Sequence, residues 1–429
     1  MRTRNTAGAM TAWTRRRFAT YAGAASLALL SPHIARSESK PRVVVIGGGV
    51  AGAAAAKHLA ANALAVTLIE PKRRYTTCFF SNLYLGGMRS LESLSHGYEA
   101  LAQRHGVSVV HENATAIDPA AKIVRLQGGT KLAYDRLVVA PGITFDYGAI
   151  AGYDEAAAEI LPHAWTAGAQ TQLLRRQLES MDDGGVFLIV APPNPYRCPP
   201  APYERACLVA YYFKQFKPRA KILILDAKDS YFEQDLFEDA WRTHYPGMIE
   251  WLPAEFTGGV KAIDVKGRAV ATNGETFKGA VVNVIPPQKA GHLAQQAGLA
   301  DRSGWCPIQP LSFESTLQPG IHVLGDAARA GAMPKSASAA SSQAKLCAAA
   351  IAAVLNGTAP PAPHLSNTCF TILDPDDAVS DSISFKISAD TIVVADIVIS
   401  RLGESGETRR RTMQEANRWY AAFTRDVFG

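Results

Sequence analysis

Residues 43–56 read VVVIGGGVAGAAAA, and this stretch decides the fold. An apolar strand runs into Gly47, Gly49 and Gly52, where a helix of small residues begins. Gly47 permits the tight turn, Gly49 lets a diphosphate approach the backbone, and Gly52 lets helix and strand pack closely. The next strand ends 18 residues after Gly52 at Glu70, whose carboxylate can accept a hydrogen bond from a ribose hydroxyl. The stretch predicts a βαβ unit that binds a dinucleotide.

Two later segments favour FAD over NAD as that dinucleotide. The segment YDRLVVAPG, which ends at Gly142, resembles the strand and turn that close over FAD in two-domain flavoprotein reductases. Gly325 and Asp326 in GIHVLGDAA resemble the second FAD motif of those enzymes, in which the aspartate holds the ribityl chain. Either segment alone reads equally well as a strand ending in a turn. Together, at these distances, they predict FAD.

A second α/β block begins near Pro162 and lacks a glycine loop. After its strand VFLIVA it has Pro192-Pro193-Asn194-Pro195. Proline has no backbone N–H and a fixed φ, so this loop cannot cradle a diphosphate as a glycine loop does. We infer that nicotinamide is not the redox partner; the alternative is a nicotinamide cofactor bound in another way.

The predicted fold class is α/β, with two nested Rossmann-like dinucleotide-binding domains and a small C-terminal α+β domain. The FAD-binding domain is expected to comprise residues 41–160 and 285–360, with the second Rossmann-like domain at 161–284 between them. A proline cluster marks the start of a C-terminal interface domain at 361–429.

The N-terminus reads as an export signal. Residues 1–35 contain Thr14-Arg15-Arg16-Arg17-Phe18, an apolar run from Tyr21 to Leu30 and then Ala35. This order predicts a twin-arginine signal peptide and a periplasmic protein; the alternative is a basic start followed by a short buried helix. The leader holds five arginines and no acid, which accounts for most of the formal net charge of +6, so we expect no nucleic-acid partner. No run reaches the ~20 apolar residues of a transmembrane segment.

Six cysteines are too few for a disulfide framework, so each needs its own explanation. Cys198 lies in a proline turn that leads into a helix, where we expect a lowered pKa and a reactive thiolate. Cys369 lies 171 positions later in LSNTCFTI, also in a turn-rich setting. Such a pair suggests a sulfur substrate, although two separate buried cysteines or a structural bridge remain alternatives. Glu204 is a candidate proton acceptor or an ordinary solvated acid at a helix start.

The other cysteines divide into two groups. Cys78, in RRYTTCFFSNLYLGG, is expected beside the flavin ring, as a core cysteine or as a redox thiol. Cys207, Cys306 and Cys347 lie in apolar or helical settings and are predicted to be core cysteines. We assign no metal site.

With these residues in place, the chain resembles the flavoprotein subunits of flavocytochrome c sulfide dehydrogenases, which are relatives of the sulfide:quinone reductases. The resemblance covers the leader and essentially all of the remaining chain. Its most specific stretches are YTTCFFSN, CPPAPYERA, GDAARAGAMPKSASAASSQAK, LSNTCFTI and RDVFG. One departure is the loop with Arg329 and Gly331, where several residues differ from those expected.

The resemblance implies a role for each site residue. Cys78 would attach covalently to the flavin as a thioether. Cys198 and Cys369 would form a redox-active disulfide over the isoalloxazine, with Glu204 as the acid/base group. Lys335 would approach the pyrimidine end of the flavin and stabilise its anionic reduced form, or it is an ordinary surface lysine.

The same resemblance implies sulfide as substrate and a c-type cytochrome subunit as electron acceptor. The sequence has no Cys-x-x-Cys-His, so the haem is expected on a separate partner. A sulfide:quinone reductase is the first alternative, but it needs an apolar membrane-contacting end, and the tail here carries charges such as Glu404, Glu407 and Arg410. The second is a non-catalytic electron-relay subunit, which would not need a substrate-facing disulfide.

Overall fold

The protein is described by a computed structural model over residues 40–360 and 362–429. The predicted signal peptide, residues 1–35, lies outside the described residues. Residues Pro41–Gly429 form one compact unit.

Strands and short helices alternate along the first third of the chain. In chain order the elements are β1 (Arg42–Ile46), α1 (Val50–Ala60), β2 (Ala65–Ile69), β3 (Arg74–Thr76), α2 (Ser81–Leu85), β4 (Ser95–Gly97), α3 (Glu99–His105), β5 (Ser108–Val110), β6 (Ala114–Asp118), β7 (Ile123–Leu126), β8 (Lys131–Ala133), β9 (Arg136–Val139) and β10 (Ile143–Phe145).

The next region contains helices of up to 16 residues among its strands. Its elements are α4 (Glu155–Ala158), α5 (Ala169–Ser180), β11 (Val186–Ala191), α6 (Ala201–Phe216), β12 (Lys221–Asp226), α7 (Gln234–His244), β13 (Ile249–Leu252), α8 (Ala254–Thr257), β14 (Ala262–Asp264), β15 (Ala269–Ala271), β16 (Thr276–Lys278) and β17 (Val281–Val284).

The last third of the chain holds the longest strands and helices. Its elements are β18 (Gln288–Ala290), α9 (His292–Gln296), β19 (Cys306–Pro307), β20 (Ile321–Val323), β21 (Ala328–Arg329), α10 (Ala337–Asn356), β22 (Leu365–Asp374), β23 (Asp377–Ser388), β24 (Thr391–Ile399) and α11 (Gly406–Phe428).

Two parallel sheets form the α/β part of the fold. The first has the order β20-β9-β1-β2-β5, and the second has the order β13-β12-β11-β17. Because β20 comes far along the chain, the first sheet is completed by a returning segment. The central strands β1 and β11 are apolar and buried along most of their length, as expected for strands covered on both faces. The predicted α/β class with two Rossmann-like sheets is confirmed.

The C-terminal part is an antiparallel sheet of order β22-β23-β24, with α11 packed on β23. This arrangement agrees with the small C-terminal α+β domain that the sequence predicts. In the register of this sheet Cys369 on β22 is directly opposite Asp381 on β23. The expected turn-rich setting of Cys369 is therefore wrong, because the residue lies inside a ten-residue strand.

Small residues let two helices pack closely beside the first sheet. Ala53 to Ala56 on α1 are buried, and α10, which is also rich in alanine, packs against them. Within the described residues, α10 is the one helix long and apolar enough to cross a bilayer, and 72% of its apolar window is buried inside the protein. This burial is typical of a core helix.

Candidate active site

A cavity of about 310 Å³, here called the first cavity, lies where the first sheet, the start of α6 and the middle of β22 meet. Its walls combine the predicted nucleotide-binding loops with three cysteines. Ten of the twelve predicted site residues line it: Gly47, Gly49, Glu70, Cys78, Gly142, Cys198, Glu204, Gly325, Asp326 and Cys369. Gly52 and Lys335 are not part of its wall.

The glycine loop has the geometry that a diphosphate requires. Gly47 has φ +96°, and a Cβ on Gly52 would lie 1.7 Å from the carbonyl oxygen of Gly47, so both positions require glycine. A Cβ on Gly49 would meet only the Tyr75 ring, at 3.7 Å, which leaves space in front of the first turn of α1. The N-terminal amides of that helix, with no side chain capping them, favour an anion there.

The acid at the end of β2 is held in place for a hydroxyl ligand. Glu70 accepts hydrogen bonds from the backbone N–H groups of Gly48 at 2.7 Å and Lys72 at 2.9 Å, while its side chain still lines the cavity. A carboxylate can accept further hydrogen bonds beyond these two. The glycine loop, Glu70 and Asp326 thus fit an adenine dinucleotide such as FAD.

Cys78 lies between β3 and α2 and contributes its thiol to the same wall. Its Sγ is 3.8 Å from the hydroxyl of Tyr75. Tyr75 in turn stacks on Phe428 near the C-terminus, with ring centroids 5.5 Å apart. The loop is therefore supported from behind by the C-terminal residues of the chain.

Cys198 is positioned by a strained turn immediately before α6. It has φ +58°, and its N–H donates to the carbonyl oxygen of Lys335 at 2.8 Å. The expected lowering of its pKa is wrong. Burial raises the pKa of the Cys198 thiol, with Glu204 and Cys78 adding to the effect, and Arg197 opposes it only in part. Desolvation outweighs the nearby helix N-terminus.

Cys198 and Cys369 line the same cavity as free thiols, without a disulfide between them. Burial also raises the pKa of Cys369 well above its usual value, and Asp381 is the strongest charged contributor. The structure therefore brings the predicted pair into the wall of one cavity.

Glu204 lies inside the protein, so the alternative of a solvated helix-start acid is wrong. Its side chain accepts hydrogen bonds from the N–H of Ile372 at 3.0 Å and from Asn82 at 2.7 Å. Burial raises the pKa of this carboxyl. Glu204 thus remains in the wall of the first cavity as a carboxyl group with an elevated pKa.

Lys335 is not among the residues that line the first cavity. Its ammonium donates to the carbonyl oxygens of Asp326 at 2.6 Å and Ala328 at 3.0 Å, and lies 3.6 Å from the centre of the Trp305 ring. Burial lowers its pKa to about 8. In this arrangement the ammonium holds the backbone that follows β20, and the approach to a flavin that the resemblance implies stays a prediction. The alternative of a surface lysine is also wrong, since the side chain is largely covered.

The sequence reasoning missed Arg197, a cation that does line the first cavity. It lies 3.9 Å from Asp326 and donates to the carbonyl oxygen of Trp165. Its position next to Cys198 in the sequence was the available signal. The three predicted core cysteines, Cys207, Cys306 and Cys347, are fully buried, as expected.

Comparison with known families gives matches along most of the described chain. The family model described as the central part of the sulfide dehydrogenase [flavocytochrome c] flavoprotein chain matches residues 171–286. A flavocytochrome c sulphide dehydrogenase flavin-binding model matches residues 361–428. A pyridine nucleotide-disulphide oxidoreductase model matches residues 41–177.

Individual relatives agree with these family models. The chain is 54% identical over 43 residues, 10% of its own length and 90% of the relative's, to a sulfide dehydrogenase [flavocytochrome c] flavoprotein chain of Chlorobaculum thiosulfatiphilum. It is 23% identical over 298 residues to a mitochondrial sulfide:quinone oxidoreductase of Mus musculus. The aligned residues cover 66% of this chain and 65% of that protein. The solved sulfide:quinone oxidoreductase of Aquifex aeolicus superposes with a TM-score of 0.68 at 20% identity, covering 90% of this chain and 92% of that one. This last likeness supports the fold.

Proposed function

Since the chain belongs to the family of flavocytochrome c sulfide dehydrogenase flavoprotein chains, which is related to the sulfide:quinone oxidoreductases, we propose that it oxidises sulfide and passes the electrons to a c-type cytochrome subunit. One observation carries the proposal: three cysteines share a cavity with a glycine loop, Glu70 and Asp326. A nucleotide-binding site alone needs no thiols. A thiol pair in its wall supports a substrate that reacts with sulfur.

The residues of the first cavity divide into two roles. Gly47, Gly49, Glu70 and Asp326 would hold FAD, and Cys78 would tether it as a thioether. Bound FAD supplies the change from two-electron to one-electron transfer that a haem acceptor requires. Replacing Cys78 with serine should let FAD separate from the protein on denaturation.

The chemistry on sulfur begins with a disulfide between Cys198 and Cys369. A hydrosulfide ion attacks one sulfur of this disulfide, one S–S bond breaks and a new one forms. The products are a persulfide on one cysteine and a thiolate on the other. The sulfur of the substrate is oxidised, and the expelled cysteine sulfur carries the electron pair.

The charges around the two cysteines favour Cys198 as the expelled thiolate. Arg197 favours the charged form of Cys198 and opposes part of the effect of Glu204 and Cys78, whereas no cation of the described residues is among the groups that shift the pKa of Cys369. Cys369 is surrounded by the carboxyl groups of Asp381, Glu233 and Glu204, all of which disfavour a thiolate there. We therefore assign the persulfide to Cys369. The Cys198 thiolate then remains in the first cavity, with Glu204 as the nearby acid/base group.

The test is steady-state reduction of cytochrome c by sulfide, with and without added quinone. Cytochrome reduction independent of quinone supports the proposal. A requirement for quinone would instead support a sulfide:quinone oxidoreductase. That function is the second candidate because the chain is similar to those enzymes. We expect Cys369→Ser to abolish flavin bleaching by sulfide while FAD content persists. Retained turnover in this variant would remove the disulfide from the mechanism.

The predicted signal peptide, which lies outside the described residues, adds a location to this proposal. We propose export to the periplasm by the twin-arginine route, which carries proteins that fold before transport. An oxidising compartment is compatible with a disulfide between Cys198 and Cys369.

A further inference from the structure

A second cavity, of about 280 Å³, lies against the same two cysteines. Cys198, Pro200, Ser336 and Cys369 line both cavities, but none of the glycine-loop residues lines the second one. Its wall instead includes Tyr196, Lys228, Tyr231 and Asp381. A molecule in this cavity can therefore reach the thiol pair without entering the predicted nucleotide site.

Asp381 is the acidic residue that the sheet places beside Cys369 in this cavity. The two residues are directly opposite one another on β22 and β23. Such pairs have Cβ atoms about 4.5–5.5 Å apart and side chains on the same face of the sheet. Asp381 is 3% exposed, so its carboxyl group lies in the interior rather than in bulk water.

A short hydrogen-bonded chain orients the Asp381 carboxyl group. The side-chain amide of Asn367 donates to Asp381 at 2.9 Å, and the amide oxygen of Asn367 accepts from the hydroxyl of Ser336 at 2.6 Å. Both Asn367 and Ser336 also line the second cavity. Burial raises the pKa of Asp381 to about 6, and the bond from Asn367 opposes that shift. A carboxyl group of this kind can exchange a proton near neutral pH.

Other charged groups face this position from neighbouring elements. Glu233, just before α7, lies close enough to Asp381 that the two carboxyl groups repel, and its pKa is raised to about 8, first by burial. Arg409 on α11 partly offsets the charge of Glu233. Lys228 lines the second cavity but forms an ion pair of 2.5 Å with Asp226.

Glu204, by contrast, lines the first cavity and not the second. Of the acids around Cys369, Asp381 is thus the one that shares the second cavity with it.

We propose that the second cavity receives hydrogen sulfide and that Asp381 accepts its proton there. This inference rests on the proposed function and adds an entry side and a base to it. The S–H bond of hydrogen sulfide breaks, its proton moves to the Asp381 carboxylate, and its electron pair attacks Cys369. The S–S bond to Cys198 breaks at the same time, so the proton ends on Asp381 and the negative charge on Cys198. Glu204, on the other side of the pair, is left to serve the Cys198 thiolate.

The experiment is single-turnover bleaching of the oxidised holoprotein by sulfide, followed across acid to alkaline pH without an electron acceptor. Asp381 must be deprotonated to act, so the wild-type rate should rise as the pH increases through about 6. Asp381→Asn should be about 100-fold slower near neutral pH. The difference should shrink at alkaline pH, where the substrate is already the hydrosulfide ion and needs no base.

Two further variants complete the design. Asp381→Glu should restore most of the rate, and Asp396→Asn, an exposed acid on β24 of the same sheet, should match the wild type at every pH. FAD content and circular dichroism check that each variant is folded. If Asp381→Asn does not fold, Asn367→Ala gives an independent test, because loss of its hydrogen bond raises the pKa of Asp381 and should move the acid limb of the rate to higher pH.

The outcomes separate the two proposals. No bleaching of the wild type by sulfide overturns the proposed function itself. Bleaching of the wild type together with an unchanged pH profile in Asp381→Asn, or with a loss that is equal at every pH, overturns only the role of Asp381. An unmoved acid limb in a folded Asn367→Ala protein does the same.

Discussion

The two parallel sheets of this protein share the same order of strand, loop, helix, strand and acidic residue, but the surroundings of the two acidic residues differ. In the first, β1 leads through a glycine loop into α1, and Glu70 directly follows β2. In the second, β11 leads through a proline loop into α6, and β12 ends at Asp226. Both acids occupy the position at which a dinucleotide fold binds a ribose. Their surroundings differ completely.

Glu70 lines the first cavity, whereas Asp226 is fully buried, and its carboxylate is bonded to other side chains of the protein. Asp226 accepts hydrogen bonds from the Tyr203 hydroxyl at 2.6 Å and the Trp251 ring N–H at 2.9 Å, and it pairs with Lys228 at 2.5 Å. Lys228 also donates to the carbonyl oxygen of Pro192 in the proline loop. Side chains of the protein thus take the bonds that a nucleotide would make.

The same arrangement of strands and helices therefore has a different role in each sheet, and the loop after its first strand determines that role. A glycine loop leaves space and free amides for a diphosphate. The proline loop gives up that space, and its last residues carry Arg197 and Cys198 into the wall of the first cavity. The second block has no glycine loop and supplies the thiol and the cation instead.

The largest effect is expected from Gly52→Ala in the glycine loop. The added Cβ would lie 1.7 Å from the carbonyl oxygen of Gly47, and a backbone atom cannot move aside without displacing the loop. We expect loss of FAD from the purified protein, measured as the ratio of flavin to protein absorbance. Gly274→Ala is the matched control, because a Cβ there meets nothing within 4 Å. Full FAD occupancy in Gly52→Ala would show that the dinucleotide does not bind at the glycine loop.

A large effect of a different kind is expected from Asp226→Ala in the second block. The change leaves the Lys228 ammonium buried without its partner, and losses of this type cost about 3–5 kcal/mol in the free energy of unfolding. Chemical denaturation should detect it, while protein that remains folded keeps its full complement of FAD. Asp183→Asn, which removes a surface pair with the exposed Arg219, should change the stability little. A loss of FAD in folded Asp226→Ala would mean that the second block also binds the cofactor.

The sequence was most informative where a backbone requirement dictates residue type. A dinucleotide-binding βαβ unit is predicted by the spacing of Gly47, Gly49 and Gly52 and by Glu70 after them. Only glycine allows the tight turn and the close approach of a diphosphate to the backbone. The prolines from Pro192 onward likewise predict a loop without amide donors. These features are local, so a single sequence is enough to identify them.

Features that depend on pairing or burial could not be predicted in the same way. The opposition of Cys369 and Asp381 follows from the register of β22 and β23, which no local pattern specifies. The raised pKa of Cys198 follows from burial by distant segments, against the local expectation from a helix start. The contacts of Lys335 could not be predicted for a similar reason, since the positions of Trp305 and of two backbone carbonyls decide where its ammonium lies.

The smallest effect is expected from Glu70→Gln, and it is the most direct comparison of the two acids. Glutamine keeps one acceptor oxygen but turns an amide donor toward one of the two N–H groups that now donate to Glu70. The loop therefore loses one hydrogen bond, and the ribose loses a charged acceptor. We expect the affinity for FAD to fall about tenfold, or about 1.4 kcal/mol. The measurement requires a Cys78→Ser background, in which the proposed covalent bond cannot mask the affinity, and titration of the apoprotein with FAD. Asp226→Asn in the same background should leave the affinity of the folded protein unchanged, because its carboxylate is already fully engaged within the protein; equal losses in the two variants would mean that both acids act only through the stability of their sheets.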